Sequence, residues 1–186
     1  WVAPQFIYDY DTAGSTKDRR RAISEQHHKI RQLAPILPQL VTAAEAELAH
    51  AQAQLEEAAT AGNGAIVTVD GDDWEVVQVT SDSPIRLRRD GQMKNLTDRE
   101  DMAFWIWAAV EVLRHSGIRI EELLELTHLS LQPYTVPQTG EVVPLLHIAP
   151  SKTDEERLLV AGPELAHVLA QVVARIRQPD GRVPLV

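Results

Sequence analysis

The spacing of apolar residues changes period twice along this chain, and those changes limit the folds open to it. Over residues 39–61, Leu40, Ala44, Leu48, Ala51 and Leu55 recur at intervals of three and four, with Glu45, Glu47, Glu56 and Glu57 at the other positions. That is the pattern of an amphipathic helix, cut off by Pro35 and Pro38 from the segment holding Ile30 and Leu33. After Gly62-Asn63-Gly64 the pattern shifts to short β-type runs at 65–69, 74–79 and 84–88, divided by Asp70-Gly71-Asp72-Asp73, Ser81-Asp82-Ser83 and Asp90-Gly91. These predict a module of antiparallel hairpins. The Asp cluster lacks the alternate oxygen ligands and closing Glu of a calcium loop, so it reads as a turn.

Helical spacing returns at Thr97, where Thr97-Asp98-Arg99-Glu100 has the form of a capping box. The helix it opens holds Ala103 to Val110, apolar on nearly all sides, and is expected to stop at Gly117 in the centre of a domain. A second helix is predicted over 119–127 with Leu123, Leu124 and Leu126 inward, then strands at 129–134, 142–148 and 157–160. A last helix opens at Gly162-Pro163 and carries Leu165, Val168, Leu169, Val172, Val173 and Ile176 on one stripe. The expected class is α+β, mainly α-helical. Its parts are a helical segment over 1–63, a small β-hairpin module over 64–96, and helices packed with a small antiparallel three-stranded sheet over 97–186.

With 44% hydrophobic residues in 186, the chain has enough apolar side chains for a real core. Its net charge of -9 argues at first against nucleic acid, yet the excess is uneven. Residues 61–112 carry 5 basic and 10 acidic groups, while 113–186 carry 7 and 9 and are only 2 negative. A local phosphate site in that last part is therefore compatible with the total. The absence of cysteine excludes disulfides, thiolate zinc sites and cysteine nucleophiles, and accords with a cytoplasmic location. No apolar run reaches the length of a membrane span, so a soluble product with no membrane partner is expected. The start at Trp1 and the end at Pro184-Leu185-Val186 lead us to expect a piece of a longer protein.

Two cations stand out chemically. Arg119 falls at the start of a predicted helix, where the dipole disfavours a positive charge. A guanidinium beside unpaired helix N–H groups makes an anion site that suits a phosphate, with Glu122 one turn on to orient it. The alternative is a local surface pair with Glu121 or Glu122. Lys152 sits in the expected turn between the last two strands, where an ammonium projects from a rigid support. It is either solvated and inert or joins Arg119 over one phosphate and protonates a leaving oxygen. The seven histidines lack zinc-ligand spacing, and no nucleophile elbow or phosphate-cradling glycine loop occurs, so neither metal nor cofactor is expected.

The run Leu113-Arg114-His115-Ser116-Gly117-Ile118-Arg119-Ile120-Glu121-Glu122-Leu123-Leu124-Glu125-Leu126 resembles the first box of the tyrosine recombinases, the phage integrase family. That box reads roughly Leu-x-x-Thr-Gly-Leu-Arg-x-x-Glu-Leu-x-x-Leu, so Ser116 and Ile118 are mild replacements. The later Ser151-Lys152-Thr153, followed by Arg157, is similar to the family's strand-turn lysine. The resemblance covers about residues 97–186. It implies that Arg119 holds a non-bridging oxygen of the scissile phosphate, that Lys152 is the general acid for the departing 5′-hydroxyl, and that Glu122 is a structural support. It also implies strand cleavage through a 3′-phosphotyrosine without metal or ATP, with DNA as partner and self-association on it. The family's His-x-x-Arg and late tyrosine have no match: His167 is followed three residues on by Ala170, and Tyr134, the only tyrosine after Arg119, precedes Lys152. The expected function is thus site-specific DNA recombination or integration, this chain holding the first half of the catalytic domain, without the nucleophile and inactive alone. The alternatives are a catalytically silent DNA-binding relative, or a helical protein-interaction module built on the helix over 39–61.

Overall fold

The computed structural model describes residues 9–78, 80–149 and 156–184. The aromatic opening at Trp1, Phe6 and Tyr8, the end at Leu185-Val186, and Lys152, expected in a turn, lie outside them. The chain divides into two compact units, Trp1–Thr42 and Ala43–Val186.

The first unit is helical. Helix α1 spans Asp9–Leu33, and α2, Leu37–Ala61, begins after a short turn. Pro35 occupies that turn and Pro38 the first turn of α2, where a missing N–H costs nothing. Ile23, Ile30, Leu33 and Leu40 are exposed.

In the second unit the remainder of α2 turns Ala44, Leu48, Ala51 and Ala58 inward. Small residues let neighbouring elements approach that face, and Leu48 and Ala51 join one core cluster of this unit while Ala58 joins another. Strands β1 (Ile66–Val69), β2 (Asp72–Val77), β3 (Arg86–Arg89) and β4 (Gln92–Asn95) form an antiparallel meander in chain order. Two of its turns are Asp-Gly pairs, Asp70 and Gly71 at φ 56° and 84°, and Asp90 and Gly91 at 48° and 79°. Positive φ at both positions matches the twist of a two-residue hairpin, which is why Asp-Gly serves there. Strand β4 was not expected, because Gln-Met-Lys-Asn has no β-branched alternation; the preceding Asp-Gly turn and pairing with β3 impose it. Val67, Val69, Trp74, Val76, Leu87 and Leu96 close a small core with Ala58 of α2.

Helix α3, Leu96–Ser116, is capped two residues earlier than its apparent capping box suggests. Asn95 is the cap, its Oδ1 accepting the N–H of Asp98, while Thr97 Oγ1 accepts from the backbone N–H of Ile85 and ties the helix to the residue that leads into β3. Glu100 does not reach back to a cap; it is buried against Arg175. Nor is α3 covered on all sides. Ala103, Phe104, Ala108 and Val112 are buried, while Met102, Trp105 and Ile106 are exposed, so the helix spends one stripe on the core. It ends as expected at Gly117, whose φ of 65° and N–H to Leu113 form a left-handed stop.

Helix α4 is shorter than predicted, Ile120–Leu124, and Leu124 points out at 79% exposure, whereas Leu123 and Leu126 pack on the core. A single 3₁₀ turn, His128–Ser130, leads into β5 (Leu131–Thr135), β6 (Val142–Ile148) and β7 (Arg157–Val160), an antiparallel sheet in that order. Leu146 and Ile148 alternate inward from β6. Helix α5, Pro163–Ile176, has Pro163 at its first position and lays Leu165 and Val168 on the same core as Phe104 and Val112. The α+β class read from the periodicities is the observed one.

Candidate functional site

The tight turn at Gly117 brings the chain back at once, so that buried Ile118 anchors the step into α4 and Arg119 becomes its N-cap in extended conformation. Arg119 is exposed, and Glu122 is 2% exposed. An ionised carboxylate at that depth needs partners, and among the described residues Glu122 has two. Its Oε2 accepts the backbone N–H of Arg119 at 2.8 Å, and its Oε1 accepts Nη2 of Arg157 at 2.6 Å. The expected orienting contact is therefore made through the backbone at residue 119, which fixes where that side chain departs from the main chain.

This geometry alters one part of the sequence reading. A five-residue helix has little macrodipole, and Glu122 already takes the N–H at its start, so α4 offers no anion site of its own. Any phosphate held here is held by side-chain cations. Arg157 is one that sequence reasoning placed in a motif but gave no role. Its signal was positional: it opens β7, paired with Ile148 at the end of β6, five residues after Lys152 in the sequence. Lys152 lies outside the described residues, so no distance joins it to Arg119. At the base of that hairpin His147 Nε2 pairs with Glu156 Oε1.

A second polar cluster lies between α3 and α5. An open cleft of about 390 Å³ is lined by Trp107, Glu111, Arg114 and His115 of α3, and by Glu164 and His167 of α5, among others. Glu111, 4% exposed, accepts from Arg114 Nη2 at 2.5 Å and lies 3.2 Å from His115 Nε2. The Glu111 hydrogen bond, with Glu45 and Glu164 nearby, raises the Arg114 pKa above the ordinary guanidinium value. Carboxylates and guanidinium offset one another here, and among the described residues no group of three His, Asp or Glu is placed to hold a metal.

Among the described residues no helix is long and apolar enough to cross a membrane. No family model matches the chain, and no curated protein or solved structure matches it significantly.

Proposed function

We propose that this chain is the leading half of a tyrosine-recombinase-like catalytic domain, acting on DNA in the cytoplasm. Arg119 binds a non-bridging oxygen of the scissile phosphate and neutralises charge that grows as a tyrosine oxygen attacks. Lys152 gives its proton to O5′ as the P–O5′ bond breaks and the Tyr–O–P bond forms. The nucleophile is not Tyr134, which lies in β5 ahead of the Lys152 hairpin, but a tyrosine elsewhere in the full-length protein. Neither metal nor nucleotide enters this scheme, since the phosphotyrosyl bond conserves the energy of the broken phosphodiester.

The observation that supports the reading is the placement of Glu122. A carboxylate buried on α4 accepts the backbone N–H of Arg119 and the guanidinium of Arg157, and so ties the start of α4, in the first motif, to the start of β7, in the second. Binding of the chain to short duplex DNA at low salt tests it. Arg119→Ala is expected to weaken binding about tenfold or more, the worth of a charge-assisted phosphate contact. Equal affinity of parent and variant would count against the assignment. A helical interaction role is a second reading for the first unit, favoured by the exposed Ile23, Ile30 and Leu33 of α1.

A further inference from the structure

We propose that one face of α1 binds the phosphate backbone of duplex DNA, an inference that stands on this helix alone and not on the Arg119 site. Residues 17–33 hold six basic and two acidic groups, a net charge of +4 within a chain of -9, so positive charge is concentrated here while the remainder of the protein is acidic. Every side chain described over that span is exposed. At about 100° and 1.5 Å per residue, Lys17, Arg20, Arg21, Ser24, His28 and Arg31 fall within one arc of about 100° and form a stripe about 21 Å long.

Most of the stripe's charge is not spent within the helix. Arg21 pairs with Glu25 at 3.0 Å, whereas Lys17, Arg20 and Arg31 have no carboxylate partner among the described residues. Arg31 Nε donates to the His27 carbonyl at 3.4 Å, which leaves its charge unopposed. Lys17 and Arg20 stand three residues apart, as like charges that repel each other on a helix surface. Phosphate relieves that repulsion, and duplex DNA offers one negative charge per about 1.7 Å of its axis, dense enough to meet every cation of the stripe. The remainder of α1 argues against an anionic lipid surface as the occupant. A helix lying on a bilayer needs a continuous apolar face, but Ile23, Ile30 and Leu33 are sparse, and Arg19 falls in the middle of their arc.

Duplex binding by the full chain, measured as a function of salt, tests the stripe, since each phosphate contact contributes about 0.9 unit to the slope of log K against log salt. Lys17→Gln/Arg20→Gln/Arg31→Gln removes the three unpaired cations from exposed positions and keeps good helix formers there, so the chain should melt as the parent does. It is expected to bind duplex about a hundredfold more weakly and to lower the slope by about two to three units. Arg19→Gln/Lys29→Gln removes two charges from α1 outside the stripe and is expected to leave the slope within about half a unit of the parent's. A triple variant with the parent's slope, or an off-stripe pair that lowers it as much per charge, would overturn the inference. So would a parent that binds phosphatidylserine vesicles but not duplex. Each of these leaves the Arg119 reading to its own variant, because α1 and Arg119 belong to different units.

Discussion

Arg175→Ala is expected to cost about 3 kcal/mol of folding stability, lowering the melting temperature by roughly 10 °C. Arg175, in the last turn of α5, donates through Nη1 to Glu100 Oε1 at 2.9 Å, and its Nη2 pairs with Glu100 Oε2. Its Nε reaches Asp101 Oδ1 at 3.1 Å, and the guanidinium carbon lies 4.4 Å from the centre of the Phe104 ring. Glu100 is 7% exposed. Truncating the arginine leaves a carboxylate in the interface of α3 and α5 with, among the described residues, a long contact from Gln52, 3.5 Å away. The penalty comes from that stranded charge, more than from the worth of the pair itself. Converting Glu100 to Gln in the same chain is therefore expected to recover much of the loss. Urea unfolding at pH 7 measures both, and an Arg175→Ala loss under about 1 kcal/mol would contradict the assignment.

The same pair sets a pH dependence. The Arg175 hydrogen bond, opposed by burial and reinforced by the charge of Arg175, holds the Glu100 carboxyl below its ordinary value of 4.5. A carboxyl whose pKa is depressed in the folded state contributes stability that is fully present above the ordinary value and lost as pH falls through the folded value. The parent should lose this contribution below about pH 4.5, and the Arg175→Ala chain should show a shallower decline over that range.

Lys152→Ala should have the largest effect on chemistry. In the full-length protein, strand cleavage is expected to slow about 10²- to 10⁴-fold, the range for losing a positioned general acid. The physical reason is the leaving group: an alkoxide departs poorly unless protonated as its bond to phosphorus breaks. A substrate whose 5′ oxygen is replaced by sulfur leaves as a stable thiolate and needs no proton. It should be cleaved by Lys152→Ala and by the parent at similar rates. A variant equally slow on both substrates would mean that Lys152 serves binding or folding instead.

What the sequence made legible was local. The stop at Gly117, the start at Pro163 and the bounds of β6 and β7 follow from turn chemistry and period, and each was where these signals put it. Features that depend on distant packing were not legible. Thr97 and Glu100 look like a capping box because the spacing is right, but contacts with Ile85 and Arg175 claim both side chains. Leu124 sits at a helical spacing that α4 is too short to use. At the candidate site, Arg119 and Glu122 were readable as a pair one turn apart, while the burial of Glu122 and its bond to Arg157 join positions 35 residues distant. Lys152 rests on its place in the motif and the hairpin flanking it.

The most direct measurement is whether the full-length protein forms a covalent adduct with DNA. A library of nicked duplexes that lose the cleaved end, so that religation is impossible, is incubated with protein and resolved on a denaturing gel. The expected result is a band of protein joined to the 3′ end of the cleaved strand, formed about 10²- to 10³-fold more slowly by Arg119→Ala. No adduct on any duplex, or an adduct that Arg119→Ala forms at the parent's rate, would contradict it.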